Sequence, residues 1–226
     1  TYNLTNTQGV REIRPVWSPD GNYIIYYSDV TGEYEAYLLK NEKNAKPVQL
    51  TKNSTAWKFE GTWSPDSKYF MYFDRNQELR MINIDSKKET LVDRSDQGEI
   101  FDFTFSYDSK WITYSKRSEN RNNTVWVYNI DSKDKFEVTD NEFNSYAPEF
   151  SKDGNYLYFV SIRNFNLSFS SFEFDYIYNK GAKIYAVALQ KSTPRLFEYK
   201  NDTEEGKSDE EKKESGDKKA GVNIDK

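Results

Sequence analysis

The 226-residue chain contains no histidine and no cysteine. Without histidine there is no Ser-His-Asp triad, no imidazole base and no imidazole metal ligand. Without cysteine there is no disulfide and no thiolate chemistry. A zinc ion would find only carboxylates, a poor donor set for that metal. The compartment stays open, because a cysteine-free chain suits the cytoplasm and the periplasm or cell envelope alike. No G-x-G-x-x-G or Walker sequence occurs. Asp131-Ser132-Lys133-Asp134 and Asp140-Asn141-Glu142 are acidic, but they lack the glycine and the spacing of a calcium loop. No apolar run approaches membrane-spanning length. Acid exceeds base, 37 residues to 32, for a net charge of −5, which argues against nucleic acid as an electrostatic partner. Carboxylates are plentiful, yet nothing singles out a pair for glycoside hydrolysis. The residues therefore mark no catalytic, cofactor-binding or metal position.

Aromatic residues are abundant: 18 Tyr, 15 Phe and 5 Trp. Many fall in one phrase written four times. It reads Trp17-Ser18-Pro19-Asp20-Gly21-Asn22-Tyr23-Ile24, then Trp63-Ser64-Pro65-Asp66-Ser67-Lys68-Tyr69-Phe70. It returns as Phe105-Ser106-Tyr107-Asp108-Ser109-Lys110-Trp111-Ile112 and as Phe150-Ser151-Lys152-Asp153-Gly154-Asn155-Tyr156-Leu157. The steps between copies are 46, 42 and 45 residues, a period typical of stacked repeat architectures. Each phrase is a strand end, a turn and a strand start. Pro19 and Pro65 pre-set φ, and Asp20, Asp66, Asp108 and Asp153 can each bond their own backbone two residues on. Gly21 and Gly154 permit positive φ. Ser67 and Ser109 stand in that place in the middle copies, which predicts a different turn type there. Recurrence with the repeat assigns these residues a structural turn role.

Runs of β-branched and aromatic residues flank each turn, and two more strands follow, the fourth ending near Gln49, Val92, Val138 and Arg195-Leu196-Phe197. Four short strands per repeat make the blade of a β-propeller. The predicted fold is all-β: four recognisable four-stranded blades of a larger, six- or seven-bladed ring. A β-sandwich is the alternative. The blades occupy residues 1–200. Residues 201–221 are charged and contain no large apolar side chain, so they read as a flexible insertion or linker. Residues 222–226 read as the start of a further strand. The opening Asn3-Leu4-Thr5 resembles the end of a fourth strand, so the chain reads as part of a longer polypeptide.

The repeat is interrupted between Ser161 and Ile184, where the matching stretch of the first unit is short. This long loop carries Arg163, Phe165, Phe169, Phe172, Phe174 and Tyr176. Long loops inside compact domains are often functional. Two readings stand: an Ω-like loop packed on its own blade, or a docking surface for a neighbouring domain.

The Trp-Ser-Pro-Asp-Gly phrase resembles the propeller repeat shared by TolB, the prolyl oligopeptidase group and tricorn protease. The flanks are more specific. Leu4-Thr5-Asn6-Thr7-Gln8-Gly9-Val10-Arg11-Glu12-Ile13-Arg14-Pro15-Val16-Trp17, Leu91-Val92-Asp93-Arg94-Ser95-Asp96 and Ser161-Ile162-Arg163-Asn164-Phe165-Asn166 through Phe174 resemble the second propeller of tricorn-type serine peptidases. The Thr193-Pro194 step also fits, whereas Ile162 and Leu167 depart from the family's usual Asp and Pro. The resemblance implies PDZ and peptidase-core domains elsewhere in the chain, with the family's catalytic residues outside this sequence. It also implies peptides or unfolded polypeptide as partners, filtered or guided by the propeller, and it leaves room for a homo-oligomer. The alternative is a TolB-like interaction scaffold.

Overall fold

A computed structural model describes residues 3–52, 55–100, 102–164, 167–197, 221, 222 and 224. The first sheet contains β1 (Glu12–Trp17), β2 (Tyr23–Ser28), β3 (Glu35–Lys40) and β4 (Val48–Gln49), paired in chain order. The second repeats the pattern with β5 (Lys58–Trp63), β6 (Tyr69–Asp74), β7 (Glu78–Asn83) and β8 (Glu89–Arg94). The third uses β9 (Phe103–Phe105), β10 (Trp111–Arg117), β11 (Asn123–Asn129) and β12 (Lys135–Glu137). Pairing is antiparallel throughout. A meander in which each strand pairs with the next is the wiring of a propeller blade.

The fourth sheet departs from the pattern. It holds β13 (Ser145–Phe150), β14 (Tyr156–Ser161) and β17 (Lys183–Ala188), with the hairpin β15 (Leu167–Ser170) and β16 (Asp175–Tyr178) inserted before the third strand. Residues 195–197, expected as the fourth strand, lie in no strand. The physical reason is burial. Leu196 and Phe197 are exposed, while Val222 is 2% exposed and packs with Trp111, Val125, Phe150 and Leu157. The Trp111 indole donates to the Val222 carbonyl at 2.9 Å, and the Val222 amide donates to Asp108 Oδ2 at 2.7 Å. Val222, beyond the charged stretch, fills the gap between the third and fourth blades, and among the described residues no strand pairs with the outer side of β17. That stretch falls almost wholly outside the described residues.

The core lies between blades, because a sheet with two apolar faces must bury each against a neighbour. Ile25, Tyr27 and Leu38 of the first blade meet Trp63, Phe70, Tyr72 and Ile82 of the second. Met71, Phe73 and Leu79 meet Phe105, Ile112 and Tyr114 of the third. The face alternates strictly along β2, where Tyr26, one step from Tyr27, instead packs with Tyr37 and Leu39 on the opposite side. Flat rings fill the space between sheets, as their size and geometry favour. The aromatic that opens each phrase packs back onto the preceding blade: Trp63, Phe105 and Phe150 are 6%, 5% and 2% exposed. Trp17, with no blade before it among the described residues, is 51% exposed.

Candidate functional site

The four turns are built alike. In each, the Ser carbonyl accepts from the residue three on, and the Ser hydroxyl accepts from the amide five on at 2.9 Å. The same hydroxyl donates to the turn carboxylate: Ser18 to Asp20, Ser64 to Asp66 and Ser106 to Asp108 at 2.6 Å, Ser151 to Asp153 at 2.5 Å. Each carboxylate also accepts from the amide two residues on. The Ser18 hydrogen bond, with that from the Asn22 amide, holds the Asp20 carboxyl below its usual range, and the Ser151 bond does the same for Asp153. The serine hydroxyl and the carboxylate of each turn are thus satisfied within the turn itself.

The expected difference in turn type does not occur. Gly21 and Gly154 have φ of 72° and 71°, and Ser67 and Ser109 have 62° and 60°. The serines accept the left-handed conformation because their hydroxyls gain a partner. Ser67 Oγ accepts from the Asp20 amide of the blade before it at 3.1 Å, and Ser109 Oγ accepts from the Asp66 amide at 3.0 Å. Gly154 has no hydroxyl to offer Asp108, whose carboxylate takes the Val222 amide. Pro19 and Pro65 sit at the tips of their turns, Pro19 exposed and Pro65 half-buried.

The first strand of each blade forms the sheet edge, and neighbouring first strands touch, β1 with β5 and β9 with β13. These strands therefore face the axis of the arc. Three of them are bulged, between Ile13 and Val16, Lys58 and Gly61, and Tyr146 and Glu149. Gly61 is required there: a Cβ would stand 2.5 Å from the Met71 carbonyl oxygen and from the Phe70 ring. Arg14, Glu60, Asp102 and Ala147 occupy one place in the repeat, three residues before the phrase aromatic. Arg14 donates to the Lys58 carbonyl at 3.0 Å, and Asp102 accepts from the Ala147 amide and the Ser115 hydroxyl, both at 2.5 Å. Sequence reasoning passed over these residues, although the fixed offset from the aromatic was available as a signal.

The interrupting loop forms the hairpin β15–β16 rather than an irregular coil. Phe169 faces Tyr176 across the pair, and its ring makes edge contacts with Tyr176 and Phe174 at centroid distances of 5.5 and 6.1 Å. Phe172 and Phe174 are 94% and 82% exposed. Arg163 turns the other way. Its guanidinium lies over the rings of Tyr185, Phe143 and Phe159, and its Nε donates to the Ser161 hydroxyl at 2.9 Å. It anchors the base of the hairpin to the blade. Phe165 lies outside the described residues.

Two buried ionic clusters tie blades together. Lys58 at the start of β5 donates to Glu35 Oε2 at 3.0 Å and to the Tyr34 carbonyl at 2.8 Å, and Thr51 donates to the same carboxylate oxygen at 2.5 Å. Asp93 of the second blade accepts from Tyr114 at 2.7 Å, Lys116 at 2.8 Å and Lys135 at 2.6 Å of the third. Burial alone would push the Asp93 carboxyl up, but the hydrogen bonds from the two lysines and the tyrosine outweigh it and hold it below its usual range. Among the described residues no group of three or more acidic side chains could hold a metal ion.

Residues 1–226 match the family described as the tricorn protease second beta propeller domain. The chain belongs to that family. Tricorn protease homolog 1 of Streptomyces coelicolor is 30% identical over 117 residues, covering 52% of this chain and 11% of that protein. Tricorn protease of Thermoplasma volcanium is 29% identical over 122 residues, 51% of this chain and 12% of the relative. The crystal structure of the tricorn protease superposes with a TM-score of 0.70 at 19% identity, covering 84% of this chain and 19% of that one. An oligogalacturonate lyase from Vibrio parahaemolyticus gives 0.53 at 15% identity, over 76% of this chain and 50% of the lyase, a likeness of fold alone. The match spans about a tenth of the length of these curated tricorn relatives.

Proposed function

We propose that these blades are a non-catalytic part of a tricorn-type serine peptidase, and that their inner strands guide or filter extended peptides toward a proteolytic core elsewhere in the same protein. The observation that carries this reading is the inner edge of the arc. Arg14 and Glu60 on the first strands of their blades, and Asp102 immediately before the first strand of the third, place a positive and two negative charges at one repeat position along the inner edge. Such a lining acts on a passing chain through charge and width, and it needs no histidine or cysteine. The exposed Trp17 and the 76% exposed Ile184 at the two ends of the array support an arc of a larger ring.

The test is made in the whole peptidase. Arg14→Glu and Glu60→Lys, singly and together, are expected to change kcat/KM for peptides of fifteen or more residues by roughly tenfold, the size of a charged contact, while leaving tripeptide hydrolysis unchanged. Equal effects on long and short substrates, or none on either, would overturn guidance by these strands.

The hairpin favours a second role, docking onto another domain of the same protein or onto a second copy. Large apolar side chains this exposed and this close together mark interaction surfaces. Removing Phe172 and Phe174 is expected to shift assembly, read by sedimentation, and unchanged sedimentation would overturn that role.

A further inference from the structure

The joint between the third and fourth blades lacks both devices that tie the other two. Ser67 and Ser109 accept from the turn amides of the blades before them, whereas the fourth blade has Gly154 in that place. Among the described residues the buried charged side chains, Glu35, Lys58, Asp74 and Asp93, all belong to the first two blades. At the inner edge the joint keeps the bond from the Ala147 amide to Asp102. Elsewhere it is filled by Val222 and Ile224, which residues 198–220 separate in sequence from the fourth blade.

Val222 is held there as a ligand is held. Asp108 Oδ2 accepts its amide at 2.7 Å, and the Trp111 indole donates to its carbonyl at 2.9 Å. One residue is thus read through both of its backbone groups, and both contacts come from side chains. Among the described residues no backbone hydrogen bond joins Val222 to either blade. The reading groups are fixed beforehand by the third blade's own turn. Asp108 Oδ1 accepts from the Ser106 hydroxyl at 2.6 Å and the Lys110 amide at 3.2 Å, and the Trp111 amide donates to Ser106 Oγ at 2.9 Å. The valine side chain packs with Trp111, Phe150 and Leu157, and Ile224 packs against the same cluster. Apolar residues two apart on one side are the pattern of an extended segment. An open apolar groove of about 320 Å³ continues past Ile224, lined by Phe136, Val138, Val187 and Leu189.

We propose that this slot is a binding site for an extended polypeptide segment of the type Gly-aliphatic-x-aliphatic, filled here in cis by the chain's own Val222 and Ile224 and able to take the same chemistry in trans. Asp108 requires a free amide at the first aliphatic residue, the Trp111 indole requires its carbonyl, and the cluster requires an uncharged side chain. Gly221 precedes it because a Cβ there would already stand 3.4 Å from Asp108 Oδ2. The site stands on contacts present in the structure. That polypeptide in trans reaches it rests on the reading that the propeller handles extended peptides, and it gives that reading a position off the axis.

The test uses the 226-residue chain carrying Val222→Asp, which cannot seat its own segment, with Val222→Ser beside it as a milder variant that keeps the fourth blade folded. Three acetylated, amidated probes are titrated: a peptide with the sequence of residues 220–225, the same peptide with aspartate for its valine, and the same peptide with N-methylvaline. Binding is followed by NMR at the Trp111 indole N–H, assigned with Trp111→Phe. The parent peptide is expected to bind both variants with a dissociation constant on the order of 1 mM, the size of one buried valine and two hydrogen bonds. N-methylation removes the amide that Asp108 accepts and should weaken binding roughly tenfold. The aspartate peptide should not bind. The unaltered chain should bind the parent peptide at least tenfold more weakly, because its own segment competes at a tethered concentration on the order of millimolar. Failure of the parent peptide to bind either variant, equal binding of the N-methyl peptide, or equal binding to the unaltered chain would overturn the site. If no peptide binds while the inner-strand variants still alter long-peptide hydrolysis, the slot assignment falls and guidance stands.

Discussion

Lys58 and Glu35 are both 2% exposed in their side chains and come from different blades. Charges buried this deeply survive only as a pair, so removing one strands the other. Glu35→Gln is expected to cost about 3 kcal/mol, measured by urea unfolding. Asp93 makes a related prediction with a pH signature. Its folded carboxyl lies below the ordinary 3.8. The stability it contributes is therefore present above about 3.8 and is lost as pH falls through the lower folded value. The gap in urea midpoint between wild type and Asp93→Asn should be full at pH 6 and should narrow below pH ~4. A gap constant down to pH 2 would contradict the linkage. Gly61→Ala must push a methyl into the Met71 carbonyl and should cost ~2 kcal/mol. Ser67 separates two effects in one position. Ser67→Ala loses the bond to Asp20 and keeps the strained φ, at about 1 kcal/mol. Ser67→Gly loses the bond and relieves the strain, so it should come out near neutral. Equal losses in the two variants would show that the positive φ carries no strain, and an unchanged stability in Ser67→Ala would show that the bond to the neighbouring turn contributes nothing.

At the level of strands and turns, the phrase was legible because its chemistry is local. Asp20 and Ser18 meet within five residues, and their spacing alone predicts the loop they close. The serine at the fifth turn position was misread for the opposite reason. Its partner lies in another blade, and no local pattern announces an amide 47 residues upstream. The fourth strand of the last blade failed in the same way. Arg195-Leu196-Phe197 has the composition of a strand but pairs with none, and the apolar residue packed between the last two blades is Val222, held by Trp111 and Asp108 more than a hundred residues away in sequence. The aromatic hairpin was legible as an interruption but not as two strands, since Leu167–Ser170 and Asp175–Tyr178 are four residues each and carry little periodic signal. Its rings face solvent, so Phe172→Ala with Phe174→Ala should leave the unfolding midpoint within about 0.5 kcal/mol of wild type. A loss comparable to a core truncation would mean that the hairpin holds the blade together.

Across the whole molecule, the order of the sheets followed from the repeat, but the inner-edge charges and the inter-blade slot did not, because both are made where blades meet. Val222→Asp is expected to loosen the third and fourth blades by several kcal/mol, a buried charge without a partner, and to leave the first two blades' tryptophan environment unchanged. Simultaneous loss of both halves would show a single cooperative unit. The turn-to-turn bonds have a further consequence for how the array opens. The Asp20 amide is capped by the second blade and the Asp66 amide by the third. Each proton can exchange with solvent only when its neighbour has moved away. The two amides are thus natural clocks for sub-global unfolding, and comparing their exchange rates would read out the sequence in which the blades separate without any label being added.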